Sequence, residues 1–144
     1  MLDERLVGYW SDKEVYPGGM EAADIAFRPD GTGWVYWYNA ARGFGVTSFT
    51  WRATASGHVA FTLGETASGT WQFAGGVLSH EVRSREAGEE QLIVAYRLTP
   101  APPGAGRPAA LLEFSQPIIR GVTDRRFAFE RELAENEHDP ASSP

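Results

Sequence analysis

IAFRPDGTGWVY, residues 25–36, is the stretch whose reading decides the fold. Bulky apolar side chains alternate with smaller ones on either side of Asp30-Gly31, a pair favoured in two-residue β-hairpin turns. Successive side chains of a strand point to opposite faces, so the turn dictates which residues lie together. As a two-residue turn, Asp30-Gly31 sets Phe27 opposite Trp34 and Ile25 opposite Tyr36. One face then carries Ile25, Phe27, Trp34, Tyr36 and Tyr38, and the other carries Ala26, Val35 and Trp37.

The same reading extends outward. Ala55-Ser56-Gly57 fits a three-residue loop with Gly57 left-handed, pairing Trp51 with Phe61 and Phe49 with Leu63. A loop centred near Ala67 sets Leu63 against Trp71, and the two-residue turn Gly75-Gly76 pairs Phe73 with Leu78 and Trp71 with His80. The polar loop from Ser84 to Glu90 then brings Val82 to Leu92, His80 to Val94 and Leu78 to Tyr96. Each turn is assigned from its own residues, yet the apolar face stays continuous, with Thr50, Arg52, Thr62, Gln72 and Glu81 on the opposite one. No apolar period of 3.6 residues is sustained. The expectation is an all-β, antiparallel meander closing into a barrel of about 8–10 strands, because a long meander curls or closes to hide its edges. Leu111–Phe114 and Arg126–Glu130 supply the last strands after a Pro/Gly-rich loop at 99–109; an open β-sandwich is the alternative.

A chain of 144 residues makes one domain, here residues 1–131. Residues 132–144, ELAENEHDPASSP, form an acidic, apolar-poor tail expected to be disordered. Net charge is −6 and the isoelectric point about 5.0, which argues against nucleic acid as a partner, because phosphate binding needs a basic face. Cysteine is absent, so disulfides and thiolate metal sites are excluded, and His58, His80 and His138 have no ligand spacing. No metal or cofactor is expected. The acidic N-terminus leads into no apolar run resembling a signal peptide or membrane span, which reads as a cytoplasmic protein.

Gly8-Tyr9-Trp10, ahead of this meander, resembles the Gly-x-Trp motif that opens lipocalins. The phrase from Phe27 to Trp34, with Phe49-Thr50-Trp51 after it, is similar to bacterial lipocalin-like domains of unassigned role. The resemblance implies a lipocalin-like barrel in which Trp10 closes one end under an arginine near the last strand, Arg120, Arg125 or Arg126. The second lipocalin motif, a Thr-Asp-Tyr turn, has no counterpart between late strands; Thr123-Asp124-Arg125 lies close to the C-terminus.

The register puts His80 on the apolar face, where a neutral imidazole needs a partner. It is read either as a ligand contact or general acid/base, or as a core-edge histidine bonded to tyrosine or water. Trp10, Asp12, Glu14 and Tyr16 share a face if the first strand is regular, which makes Glu14 with His80 a candidate proton-transfer pair; a bulge at 11–15 would instead leave the acids in solvent. Trp34, Tyr36, Tyr38, Trp51, Trp71, His80 and Tyr96 are the candidate ligand-binding residues, a stacking surface for a planar molecule or ordinary core filling. The leading expectation is therefore binding of a small hydrophobic or aromatic molecule inside a barrel. The rivals are an isomerase, cyclase or dehydratase on the same scaffold and a protein-interaction module with a filled core. Val35 and Trp37, read as outward, suggest a homodimer contact or a patch covered by the chain itself.

Overall fold

The computed structural model describes residues 3–13, 21–54, 56–106, 109–118 and 125–142. A short 3-10 turn, Glu4–Leu6, is followed by nine strands: β1 Gly8–Ser11, β2 Glu21–Phe27, β3 Thr32–Asn39, β4 Gly43–Ala53, β5 His58–Ala74, β6 Val77–Glu86, β7 Gln91–Pro100, β8 Ala109–Phe114 and β9 Arg126–Arg131. All pairings are antiparallel, in the order β4-β3-β2-β1-β9-β8-β7-β5-β6, and a further β4–β5 pairing closes eight of the strands into a ring. The all-β antiparallel class, the strand number and the closing strands after the Pro/Gly-rich loop agree with the sequence reading. Among the described residues no helix is long and apolar enough to cross a membrane.

Four of the expected pairings hold residue for residue. Phe49 opposes Leu63 and Trp51 opposes Phe61 across β4–β5, and Trp71 opposes His80 and Phe73 opposes Leu78 across β5–β6. The Gly75-Gly76 turn has both residues at positive φ, 61° and 79°, the backbone that a two-residue hairpin of this hand demands.

Two turns differ, and the differences move the site. Between β2 and β3 the loop is Pro29-Asp30-Gly31: Arg28 N–H donates to the Thr32 carbonyl at 2.8 Å, and Gly31 takes φ 88°. Phe27 therefore opposes Gly33 and Ile25 opposes Val35. A shift of one residue sends every side chain of β3 to the other face. Val35 enters the interior at 2% exposure and Trp37 shares its face, half-buried, so the outward Val35–Trp37 ribbon expected for a homodimer contact does not form. No turn occurs near Ala67. β5 continues for 17 residues; its first half, His58–Thr62, pairs with β7, and its second half, Thr66–Ala74, pairs with β6. β6 thus lies outside the ring, and Val82, His80 and Leu78 do not meet β7.

The interior is packed with side chains from alternate positions: Trp10, Ile25, Phe27, Val35, Phe49, Trp51, Val59, Phe61, Val94, Leu112, Phe114 and Phe127 are all at most 4% exposed. Their rings touch in series, Trp51–Phe27 at 5.0 Å, Phe27–Phe49 at 5.7 Å, Phe49–Phe61 at 5.0 Å, Phe61–Phe114 at 6.0 Å and Phe114–Phe127 at 6.0 Å. These spacings are those of edge-to-face and tilted packing in a dense core. One end is stoppered by the N-terminal turn, with Leu6 fully buried and the Trp10 indole N–H donating to the Leu6 carbonyl at 2.8 Å. Trp10 packs edge-on against Phe129, at 5.3 Å. Arg125 and Arg126 are exposed, Arg120 lies outside the described residues, and the cation near this end is Arg131, whose guanidinium stacks 4.2 Å over the Tyr9 ring.

Candidate functional site

A second apolar cluster sits on the opposite, outer face of β1–β6. It comprises Tyr9, Ala26, Trp34, Tyr36, Phe44, Val46 and Ala67, flanked by half-buried Tyr38, Trp71 and Val82. An outer face this aromatic is unusual for a barrel wall. Its origin is the one-residue shift in β3, which turns Trp34, Tyr36 and Tyr38 outward, together with the overhang of β5 and β6, which carries Trp71 and His80 beyond the ring. Five of the seven candidate ligand residues therefore meet here, outside the barrel. Trp51 is interior, its indole N–H bonded to the Thr32 carbonyl at 3.1 Å. Tyr96 packs on the interior cluster with its hydroxyl 2.5 Å from Asp3 Oδ2, and burial with this contact pushes its pKa up to about 12.

His80 is on this outer face and not in the interior, which corrects the inward placement. Its Trp71 partner across the strand is as expected, but both face outward, because an extra residue in β5 opposite Thr47–Phe49 switches the strand's face between interior Leu63 and outer Ala67. The Tyr36 hydroxyl and His80 Nε2 are 2.7 Å apart, and the imidazole packs edge-on to Phe44 at 4.8 Å and to Tyr36 at 5.5 Å. Burial lowers the His80 pKa, which favours the neutral ring. The same cause, with Tyr38 and Asp24 adding to it, raises the Tyr36 pKa, so that phenol stays protonated. Tyr36 and Tyr38 stack at 4.9 Å, and Trp71 is fixed by its indole N–H bonded to the Asn39 carbonyl at 3.0 Å.

Beside this pair lies a polar group that the sequence reading passed over. Asp24 is 2% exposed, and the Tyr9 hydroxyl donates to its Oδ2 at 2.6 Å. Lys13, the single lysine of the chain, holds its ammonium 3.8 Å from Asp24, 3.9 Å from Glu130 and 5.7 Å from the Tyr38 ring centre. Burial, the largest single influence, works against the charged Lys13, but Asp24, Tyr38 and Glu130 together outweigh it and the pKa is raised. The signal was available: Asp24 interrupts the apolar run Ala22–Phe27, and a lone acid there must find a partner. Glu14, the carboxylate proposed to pair with His80, lies outside the described residues.

The stretch from Leu133 to Ser142 does not project freely, as the composition suggests. Leu133 packs on the outer cluster and Ala141 is 6% exposed within it. Glu137 receives both guanidinium nitrogens of Arg131 at 2.7 Å. Arg28 donates to the Glu137 carbonyl and Arg85 to the Ala141 carbonyl at 3.1 Å. A groove of about 530 Å³ flanks this segment, bounded by Arg28, Thr32, Trp34, Thr62 and His138, but neither Tyr36 nor His80 lines it.

Chemically, the Tyr36–His80 pair offers neutral hydrogen-bond donors and acceptors between half-exposed aromatic surfaces. Among the described residues no three His, Asp or Glu side chains gather as a metal set. No family model, curated protein or solved structure matches this chain.

Proposed function

We propose that this chain is a lipocalin-like binding domain that takes a small aromatic or amphipathic molecule on its outer face, against Tyr36, Tyr38, Trp71 and His80. The observation that carries this reading is the contrast between the two clusters. The interior is crossed by touching rings, whereas the outer cluster ends in half-exposed rings around a neutral hydrogen-bonding pair. Aromatic walls with a few fixed polar groups are the usual make-up of small-molecule sites. The net negative charge and the Asp24–Glu130 carboxylates favour a neutral or cationic ligand over an anion.

Titration with the neutral fluorophore N-phenyl-1-naphthylamine tests the reading. Saturable enhancement is expected, with affinity weakened about tenfold or more by Trp71→Ala and less by His80→Ala. Absence of saturable binding, or binding indifferent to both substitutions, refutes it. The enzyme alternative has no comparable support, because His80 faces away from the interior and Asp24 is bonded to Tyr9. An interaction module is favoured by one separate feature, the exposed Phe73, Val77 and Leu78 at the end of the β5–β6 hairpin.

A further inference from the structure

We infer that the half of the outer face crossed by residues 132–142 is a docking groove for an acidic, extended peptide, occupied in this chain by its own C-terminal segment. The groove is independent of the Tyr36–His80 pair. Its floor is Tyr9, Ala26, Trp34, Val46 and Ala67, and its rim carries three arginines from three different strands or their ends: Arg28 after β2, Arg85 on β6 and Arg131 at the end of β9. Each of the three holds the segment, Arg131 through the Glu137 carboxylate, Arg28 through the Glu137 carbonyl and Arg85 through the Ala141 carbonyl. Two of these contacts are to main-chain carbonyls, which any peptide presents. The third is a bidentate guanidinium–carboxylate pair, which selects an acidic residue.

What the segment leaves unfilled points to exchange. It forms no strand with the sheet, and it fills the apolar floor with little more than Leu133 and Ala141. One buried polar atom of this floor, Trp34 Nε1, has no hydrogen bond among the described residues. A buried polar atom without a partner is costly, and a peptide carbonyl is the acceptor that this indole lacks. The chain's own segment is thus a loose occupant of a groove whose charge and hydrogen-bonding groups suit a better-fitted acidic peptide.

The test uses a chain shortened after Glu132 and a fluorescein-labelled synthetic peptide of residues 132–142, read by anisotropy. The shortened chain should bind the peptide saturably, and the full chain about tenfold or more weakly, because its own segment competes. A peptide with Glu135 and Glu137 changed to Gln and Asp139 to Asn should bind about tenfold more weakly, and His80→Ala should leave peptide binding unchanged. If the shortened chain does not fold, Glu137→Lys in the full chain sets a cation against Arg131 and Arg28 and should open the groove to the same peptide. Failure of whichever opened chain is folded to bind the peptide overturns the proposal. So does equal affinity of the full and opened chains, or indifference to the peptide's charge.

Discussion

Replacing Val35 by Ala tests the strand register on which the two faces depend. Val35 is 2% exposed and sits in the interior cluster between Ile25 on β2 and Thr47 on β4. The substitution removes two methyl-sized groups, about 0.8 kcal/mol each in transfer energy. Incomplete collapse of the space left behind raises the total to about 2–3 kcal/mol. For a domain of this length the melting temperature should then fall by about 6–12 °C. Val77→Ala is the matched control: the same groups are removed from a residue 64% exposed, and the change should stay within about 0.5 kcal/mol. Denaturant unfolding followed by far-UV circular dichroism measures both. Under the two-residue turn at Asp30-Gly31, Val35 would face outward and the two variants would behave alike. Equal, small effects would refute the register and with it the placement of Trp34, Tyr36 and Tyr38.

Two further outcomes are expected. The His80 pKa is lowered by burial, so the folded chain binds fewer protons than the unfolded chain below about pH 6.5; stability is full above that value and falls as pH drops through the folded pKa. Comparing melting temperatures of wild type and His80→Gln from pH 8 to 5 isolates this contribution, which an equal pH response in the two would disprove; the loss of the lowered Asp3 and Glu137 carboxylates falls at lower pH. Ending the chain after Asn136 removes the Glu137 bonds and the buried Ala141, and should cost about 1–2 kcal/mol, or about 3–8 °C in melting temperature. An unchanged melting temperature would return the segment to the solvated tail that its composition suggests.

The parts of the fold legible in the sequence were those set by local turn chemistry with one solution. Gly75-Gly76 admits one two-residue turn, and the pairs Phe73–Leu78 and Trp71–His80 follow from it. Gly57 fixes the Trp51–Phe61 register in the same way. Asp30-Gly31 admits two solutions, and Pro29 decides between them: its fixed φ suits the first central position of a type I turn, with Gly31 closing a three-residue loop. Neglecting Pro29 shifted β3 by one residue and put three aromatic residues on the wrong side of the sheet. The course of β5 was hidden for another reason. Its two halves pair with different strands, a non-local outcome of ring closure that no turn within Leu63–Trp71 records. Five of the seven candidate residues thus come together on the outer face and not in the interior, while Asp24 and its Tyr9 partner were passed over because the reading followed only the bulky apolar positions of β2.

The central claim is that ligand binds outside a filled barrel, and the five tryptophans report on it directly. Trp10 and Trp51 belong to the interior cluster, Trp34 is buried on the outer face, and Trp71 is half-buried beside His80. In a ¹⁵N-labelled sample titrated with N-phenyl-1-naphthylamine, the Trp71 indole N–H resonance should shift progressively to saturation while those of Trp10 and Trp51 hold their positions. Movement of the Trp10 and Trp51 signals with Trp71 unmoved would put the ligand inside the barrel and contradict the account.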